Sequence, residues 1–375
     1  MKKRIIMRVA IVADWLTNMG GAEKVIEMFL DLYPDADIFT TVYNPEKMSE
    51  RFINKDIKTS FLQYIPWARK RWQNFLPLLP VAIETLDLKD YDLVLSSSSS
   101  VAHGAITGKD TLHICYCHNP MRYAWDGCHE YIEKSSYNRF MKFVIPFFIN
   151  LIRLWDFYAS DRPDYYIANS EFVKNRISKY FRQKSKVIYP PVDTSLFTPA
   201  EDTKLGDYYV LLGRLVHFKK ADLVVRVFSK LGLSLKVIGT GPEEEYLKSI
   251  AGPSIDFLGS RSDQDVAGLL RRCQALVFPQ EEDFGITPLE AMASGRPVIA
   301  YKAGGALETV VEGITGTFFQ EQTEECLMDV IRDFDAHAYN KELIRKQAEK
   351  FSKQRFKKEL KAYIDNRMEK FIDGR

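Results

Sequence analysis

Residues 281–295 read EEDFGITPLEAMASG. Glu281, Glu282 and Asp283 stand together, a Phe284-Gly285 turn follows, and a short helical pattern begins near a proline. A helix N-terminus carries a partial positive charge and free N–H groups, so it is a natural seat for an anion. A bare phosphate needs no acids beside it. A phosphate carried between sugars does, because hydroxyls donate hydrogen bonds and carboxylates are strong acceptors for them. The combination points to a nucleotide sugar, with amides for the diphosphate and carboxylates for the hydroxyls on either side. A plainer reading stands beside this one. Thr287 is a good N-cap, Pro288 suits the first helical position, and Gly295 is placed to end the helix. Thr287-x-x-Glu290 is also a capping-box spacing, which on its own would turn Glu290 back to an orphan backbone N–H. The three acids would then be a solvated loop, although they directly follow the apolar run ALVFP.

The cations that a diphosphate requires are present. Leu212-Gly213-Arg214-Leu215 follows another apolar run, and Lys219 lies five residues after Arg214. Arg and Lys in a loop after a strand can bracket a diphosphate. As plain surface charges at a helix start they would oppose its dipole. Gly239-Thr240-Gly241 ends the next run and allows close backbone approach.

The elements that must hold these loops follow from the pattern. The first half opens with MRVAIVAD, the loop WLTNMGG and the helical stretch AEKVIEMFLDLY. It continues with DLVLSSSSS, TLHICYCH and DYYIANS, then a helix SEFVKNRISKYF capped by Ser170. Short buried strands alternating with helices indicate a parallel α/β sheet, whose ligand crevice lies beyond the carboxyl ends of the strands. Gly20-Gly21, the serine run and His118 all fall at such ends. Residues 187–200, VIYPPVDTSLFTPA, have three prolines and no periodicity, as expected of a stiff connector. After it the alternation restarts with YYVLLG, ADLVVRVFSKL, LSLKVIG, PEEEYLKSI, SIDFLG, SDQDVAGLLRRC and ALVFP. The expectation is an α/β protein of two Rossmann-like domains facing across a cleft, with bounds 1–190 and 191–352. A last helix over 353–375 places Phe356, Leu360, Tyr363 and Ile364 on one stripe and is expected to pack back on the first domain.

The chain has 375 residues, enough for two cores, and its 46% hydrophobic and 27% charged residues suit an ordinary globular protein. Five irregularly spaced cysteines argue against a disulfide framework and for a reducing compartment. The N-terminal MKKRIIMRVAIVADW reads as a first buried strand rather than a signal peptide. The net charge is +2 but uneven. Residues 1–192 hold 26 Lys and Arg against 21 Asp and Glu, and residues 193–375 hold 26 against 29. A weakly basic first half fits an anionic surface.

Glu282 and Glu290, separated by seven residues, together with GRL-x3-K, the Gly20-Gly21 loop and GGALETV at 304–310, resemble the retaining glycosyltransferases of family 4, which have the GT-B fold. The resemblance covers nearly the whole chain. Within that family SSSSSVAHG, YCHNPMRYAWD, RPDYYIANS and the 281–310 segment look like bacterial O-antigen and exopolysaccharide mannosyltransferases. The resemblance implies a donor diphosphate on Arg214 and Lys219, transferred-sugar hydroxyls on Glu282, and the nucleotide ribose on Glu290. It places Phe284, Gly285 and the backbone of Ile286, Thr287 and Pro288 at the phosphates. Gly20, Gly21 and Gly241 provide close approach, and His118 lies at the sugar. One departure is Asp283, where many members of the family carry Gly. The implied donor is GDP-mannose and the implied acceptor a lipid-linked saccharide. The implied location is cytoplasmic, at the inner face of the plasma membrane, with no nucleic-acid partner.

Retention, with no second carboxylate evident as a nucleophile, implies front-side attack in which the leaving phosphate oxygen takes the acceptor proton. Arg214, Lys219 and the helix N-terminus stabilise the departing charge. No metal cofactor is expected. Asp35-Ala36-Asp37 and Asp90-Tyr91-Asp92 read as turn residues. The cluster His113, Cys115, Cys117, His118, Cys128 and His129 lacks the usual zinc spacing, and positions 113, 115 and 117 alternate like one strand face. YIPWARKRWQNFLPLLP at 64–80 mixes Trp67, Trp72 and Phe75 with Arg69, Lys70 and Arg71, and FVIPFFINLI at 143–152 is apolar throughout. Both suit either an interfacial surface or an inter-helix core. Ten residues are too few to span a bilayer, which takes about 20. The alternatives to a GDP-mannose transferase are a UDP- or ADP-sugar donor, a GT-B-like nucleotide-sugar epimerase, and a non-catalytic sugar-nucleotide-binding subunit.

Overall fold

The computed structural model describes residues 7–133, 139–201 and 204–374. The chain divides into two compact units, Met1–Tyr189 with Lys357–Arg375, and Pro190–Phe356.

Unit 1 is built on a seven-stranded parallel sheet in the order β3-β2-β1-β4-β5-β6-β7. The strands are β1 Val9–Ala13, β2 Asp37–Thr40, β3 Ile57–Thr59, β4 Leu93–Ser98, β5 Leu112–Cys117, β6 Tyr165–Ala168 and β7 Ser185–Val187. The central strands β1, β4 and β5 are buried along their whole length, which is why they read as continuous apolar or small-residue runs rather than alternating ones. The helix Gly21–Leu32 follows β1, and the helix Glu171–Tyr180 follows β6 with the Ser170 hydroxyl accepting from the Val173 amide.

Unit 2 repeats the plan with six parallel strands in the order β10-β9-β8-β11-β12-β13. These are β8 Tyr208–Leu212, β9 Ser234–Ile238, β10 Ile255–Gly259, β11 Leu276–Phe278, β12 Val298–Tyr301 and β13 Gly316–Phe319. Val224 and Phe228 of the helix Ala221–Leu231 pack with Val237, Val277, Ile299 and Phe319 in its core. In both units the strand order reverses beside the first strand, between β1 and β4 and between β8 and β11. Open α/β sheets bind ligands at the carboxyl ends of such a pair.

The proline-rich stretch after β7 is pinned to unit 2. The Val192 amide donates to the Phe351 carbonyl (2.8 Å), and Arg345 donates to the carbonyls of Thr194 and Phe197. The last helix, Lys353–Asp373, buries Phe356, Leu360 and Ile364. Within unit 1, Lys357 pairs with Asp31 at 3.2 Å and Arg367 lies over the Tyr165 ring at 4.5 Å.

Candidate active site

In unit 2 the sequence-expected residues gather at the carboxyl ends of the reversing strands. Arg214 and Lys219 lie in the loop after β8, and Glu282 in the loop after β11. Lys219 Nζ pairs with Glu282 Oε1, both side chains being only partly exposed. Arg214 is exposed and makes no side-chain hydrogen bond or ion pair among the described residues. The Lys219 loop is a tight 3-10 turn, His217–Lys219, closed by Lys220 in the left-handed region (φ 53°) at the mouth of the helix Ala221–Leu231. A non-glycine residue held there is uncommon and marks a turn that its surroundings fix.

The glycines explain how the loops meet. Gly239 and Gly241 follow β9 and abut the Arg214 loop. A Cβ on Gly239 would lie 2.0 Å from the Gly213 carbonyl oxygen, and one on Gly241 would lie 2.1 Å from that of Leu215. The close approach that Gly241 permits is therefore to the cation loop itself. The loop after β12 supports Glu282 from the other side. The Gly305 amide donates to the Glu282 carbonyl (2.9 Å), and a Cβ on Gly305 would fall 2.3 Å from Phe284 Cα.

The helix expected to start at Pro288 starts two residues earlier, as Ile286–Ala293. Gly285 is its N-cap and no side chain caps it. The capping box between Thr287 and Glu290 is therefore not formed. The cause is Gly285, whose φ of +85° turns the chain into the helix, where an added Cβ would lie 2.8 Å from the Phe278 ring. Pro288 falls third in the helix, so the open first-turn amides belong to Ile286 and Thr287. Phe284 is buried with its ring 5.9 Å from Phe351, so only its backbone is left for a ligand. Glu290 is 6% exposed, one turn into the helix. Gly295, at φ +72°, ends it as expected.

In unit 1 the carboxyl ends of β1, β4 and β5 form a polar row that the sequence only partly disclosed. Asp14, just after β1, accepts from the amides of Ser99, Val101 and Ala102 at 2.7 Å each, and from the Ser99 hydroxyl at 3.0 Å. Burial pushes its carboxyl pKa up against the pull of these donors. Every hydroxyl of the serine run is partnered. Ser96 meets His113 Nε2 (2.8 Å), Ser97 meets His118 Nε2 (2.8 Å), Ser98 meets both Asp14 and His103 Nδ1 (3.3 Å), and Ser100 meets the Tyr123 hydroxyl (2.9 Å). Each small hydroxyl satisfies a polar group that would otherwise be buried alone. His118 is half-buried just after β5, and burial holds its pKa down at about 4, so it is neutral at pH 7. Gly20 is the extended N-cap of the helix Gly21–Leu32. Glu23 on that helix bonds back to its own amide and that of Gly20, while burial raises its pKa to about 7. A pair that the sequence did not single out lies deeper. His103 Nε2 is 3.3 Å from Asp156 Oδ1, and Asp156 Oδ2 accepts from the Trp125 indole at 2.7 Å.

His113, Cys115 and Cys117 share one face of β5, and both cysteines pack with Tyr166 and Phe181. Cys128 joins a different cluster with Ile149 and Ile152. The sequence cluster is thus split between two cores. Asp37 of the first Asp-x-Asp string pairs with Lys58 (3.3 Å), and Asp92 of the second accepts from the Arg8 amide (2.8 Å).

Known proteins share this architecture. The family model described as Glycosyltransferase Family 4 matches residues 19–196, and the one described as Glycosyl transferases group 1 matches residues 200–355. Sucrose-phosphate synthase from Thermosynechococcus elongatus superposes with a TM-score of 0.72 at 16% identity, covering 96% of this chain and 99% of that one. HepE from Anabaena, in complex with UDP, superposes with a TM-score of 0.69 at 17% identity, covering 96% and 100%. The fold is GT-B. Both halves of this GT-B chain resemble glycosyltransferases of the family 4 type. Among sequence relatives, the alpha-1,3/1,6-mannosyltransferase ALG2 of Candida glabrata is 27% identical over 288 residues, 61% of this chain and 58% of the relative. An uncharacterized glycosyltransferase of Methanocaldococcus jannaschii is 26% identical over 201 residues, 52% and 56%. The chain spans a little over half the length of these curated relatives.

Proposed function

We propose that this protein is a retaining glycosyltransferase that moves mannose from GDP-mannose to a hydroxyl of a lipid-linked saccharide during surface polysaccharide synthesis. The observation that carries the reading is the Lys219–Glu282 pair with the open Arg214 beside it, set at the carboxyl ends of β8 and β11. One cation is paired with one acid, and the second, Arg214, has no side-chain partner among the described residues. An incoming diphosphate recruits both cations and releases Glu282 to accept from the sugar hydroxyls. Glu290 takes the ribose diol, and the Ile286 and Thr287 amides face the phosphates. His118 of unit 1, neutral at pH 7, offers a sugar hydroxyl a hydrogen bond rather than a charge.

The bond from the anomeric carbon to the leaving phosphate oxygen breaks as the acceptor oxygen bonds to that carbon on the same face. The acceptor proton passes to the departing phosphate, and GDP leaves. Arg214, Lys219 and the helix amides meet the growing charge without reorganisation, so the reading calls for no metal. Mannose is supported by the ALG2 relatives, which are named as mannosyltransferases.

A lipid-linked acceptor is supported by the surface of unit 1. The helix Arg139–Ala159 buries Ile149 and Ile152 but exposes Phe143 (82%), Phe147 (64%) and Tyr158 (71%), and Trp67 is 78% exposed. Among the described residues no helix is long and apolar enough to cross a membrane. An exposed aromatic face in a weakly basic half suits attachment to an anionic leaflet. The test is to incubate the protein with GDP-mannose, UDP-glucose and ADP-glucose and a polyprenyl-linked saccharide, reading nucleoside diphosphate release and the product anomer. GDP release with an α-linked product is expected. Release of UDP or ADP instead would replace the donor, and no release from any donor would remove the enzyme reading.

A further inference from the structure

The opposite edge of the unit 2 sheet holds a second cationic site. A cavity of about 140 Å³ opens there, among residues that precede β8, β11 and β12 in the chain. Parallel strands put those residues at the amino ends, one strand length from Arg214 and Lys219. Arg271, Arg296, His337 and Lys341 line the cavity together with Ser294 and Tyr339, and no carboxylate lines it among the described residues.

Arg296 is the decisive side chain. It is 8% exposed, yet among the described residues its guanidinium donates only to the Gln274 carbonyl through Nη2 (3.1 Å), and its buried Nε has no partner there. A buried cation left without a counter-charge is strongly unfavourable. Arg271 likewise donates only to the Ala267 carbonyl (3.2 Å), and Lys341 has no side-chain partner among the described residues. Lys341 also opens the helix Lys341–Glu349, whose positive end adds to the field. The helix ending before Gly295 brings the opposite sign, but its last carbonyls are already bonded. Arg345 donates to Ala293 O (2.7 Å) and the Arg296 amide to Ala291 O (2.9 Å).

We propose that this cavity binds a small phosphate-type oxyanion, either free inorganic phosphate or the phosphomonoester of a lipid headgroup. Its volume lies well below the ~300–1,000 Å³ of sites for drug-sized ligands, which suits a small anion. Arg forks match phosphate oxygens in pairs, and three cations with a histidine outweigh a single negative charge. The assignment uses no residue of the proposed donor site and is independent of that reading.

The test titrates inorganic phosphate by calorimetry at fixed ionic strength into an Arg214→Ala/Lys219→Ala protein, which lacks the donor-side cations. Saturable binding at one site is expected. Adding Arg271→Gln and Lys341→Gln should weaken it at least tenfold with the thermal midpoint in phosphate-free buffer unchanged, since both side chains are partly solvated. Arg296→Gln is a further variant, read only if it folds. A second arm compares vesicles of phosphatidylcholine with and without phosphatidic acid. Capture by the phosphatidic acid vesicles that is lost in the Arg271/Lys341 variant assigns the phosphate to a lipid. Calorimetric binding without capture assigns it to a free anion. No saturable phosphate binding and no capture, or binding indifferent to Arg271 and Lys341, overturns the proposal.

Discussion

Lys219 and Glu282, 63 residues apart in sequence, form an ion pair where β8 and β11 reverse the strand order of unit 2. The pair is partly exposed, so its own contribution to stability is small, about 0–1 kcal/mol. On the proposed reading its use is positional: it keeps a cation and an acid side by side until a ligand separates them. Lys219→Met and Glu282→Gln should each lower kcat/KM about 100-fold, the cost of roughly 3 kcal/mol for one preorganised contact. Urea unfolding should show a stability within about 1 kcal/mol of the parent. A large stability loss with activity retained would make the pair structural instead.

Gly305→Ala should damage the same site from behind. A Cβ there would meet the Phe284 backbone at 2.3 Å, and the Gly305 amide holds the Glu282 carbonyl. Overpacking of this kind costs about 1–3 kcal/mol. Urea unfolding should register that loss, and KM for the donor should rise because Glu282 is displaced.

Asp156→Asn should alter the pH dependence of stability. Burial raises the Asp156 pKa to about 8, whereas the unfolded value is 3.8. The native state therefore keeps a proton that the unfolded chain has lost, so this stabilising contribution is present at low pH and disappears as pH rises through 8. The slope is about −1.4 kcal/mol per pH unit while the difference is one proton. The depressed pKa values of His103, at about 4, and His118 act in the other direction, but only below pH 6.5. Denaturant titrations between pH 6.5 and 8 should show the parent losing stability faster than the Asn variant. Parallel curves would place the proton elsewhere.

The exposed face of the helix Arg139–Ala159 predicts lipid binding. The parent should float with anionic liposomes at low salt, and Phe143→Asp/Phe147→Asp should remain at the bottom of the gradient with its circular dichroism unchanged. Equal flotation of both would free this face from the membrane role.

The alternation of strands and helices was legible because buried parallel strands are short apolar runs, and β8, β9 and β11 each end in a loop whose Gly, Arg or Glu stands out. The helix Ala221–Leu231 coincides with the stretch read as ADLVVRVFSKL. The start of the next site helix was misplaced because a capping spacing at Thr287 competes with a left-handed Gly285, and only the fold decides between them. Asp14 went unassigned since its donors lie 85–88 residues away. The serine run was visible as a motif, but its partners His113, His118, Asp14, His103 and Tyr123 were not. The cavity around Arg296 has no sequence signature, because Arg271, Arg296, His337 and Lys341 follow no spacing rule.

Calorimetric titration of GDP, with UDP and ADP as comparisons, into the parent and the Arg214→Ala protein tests the donor site most directly. GDP should bind the parent more tightly than UDP or ADP, and Arg214→Ala, whose exposed side chain supports nothing else among the described residues, should bind it at least tenfold more weakly with an unchanged thermal midpoint. Equal affinity for GDP in both proteins would contradict the placement of the diphosphate at the carboxyl ends of β8 and β11.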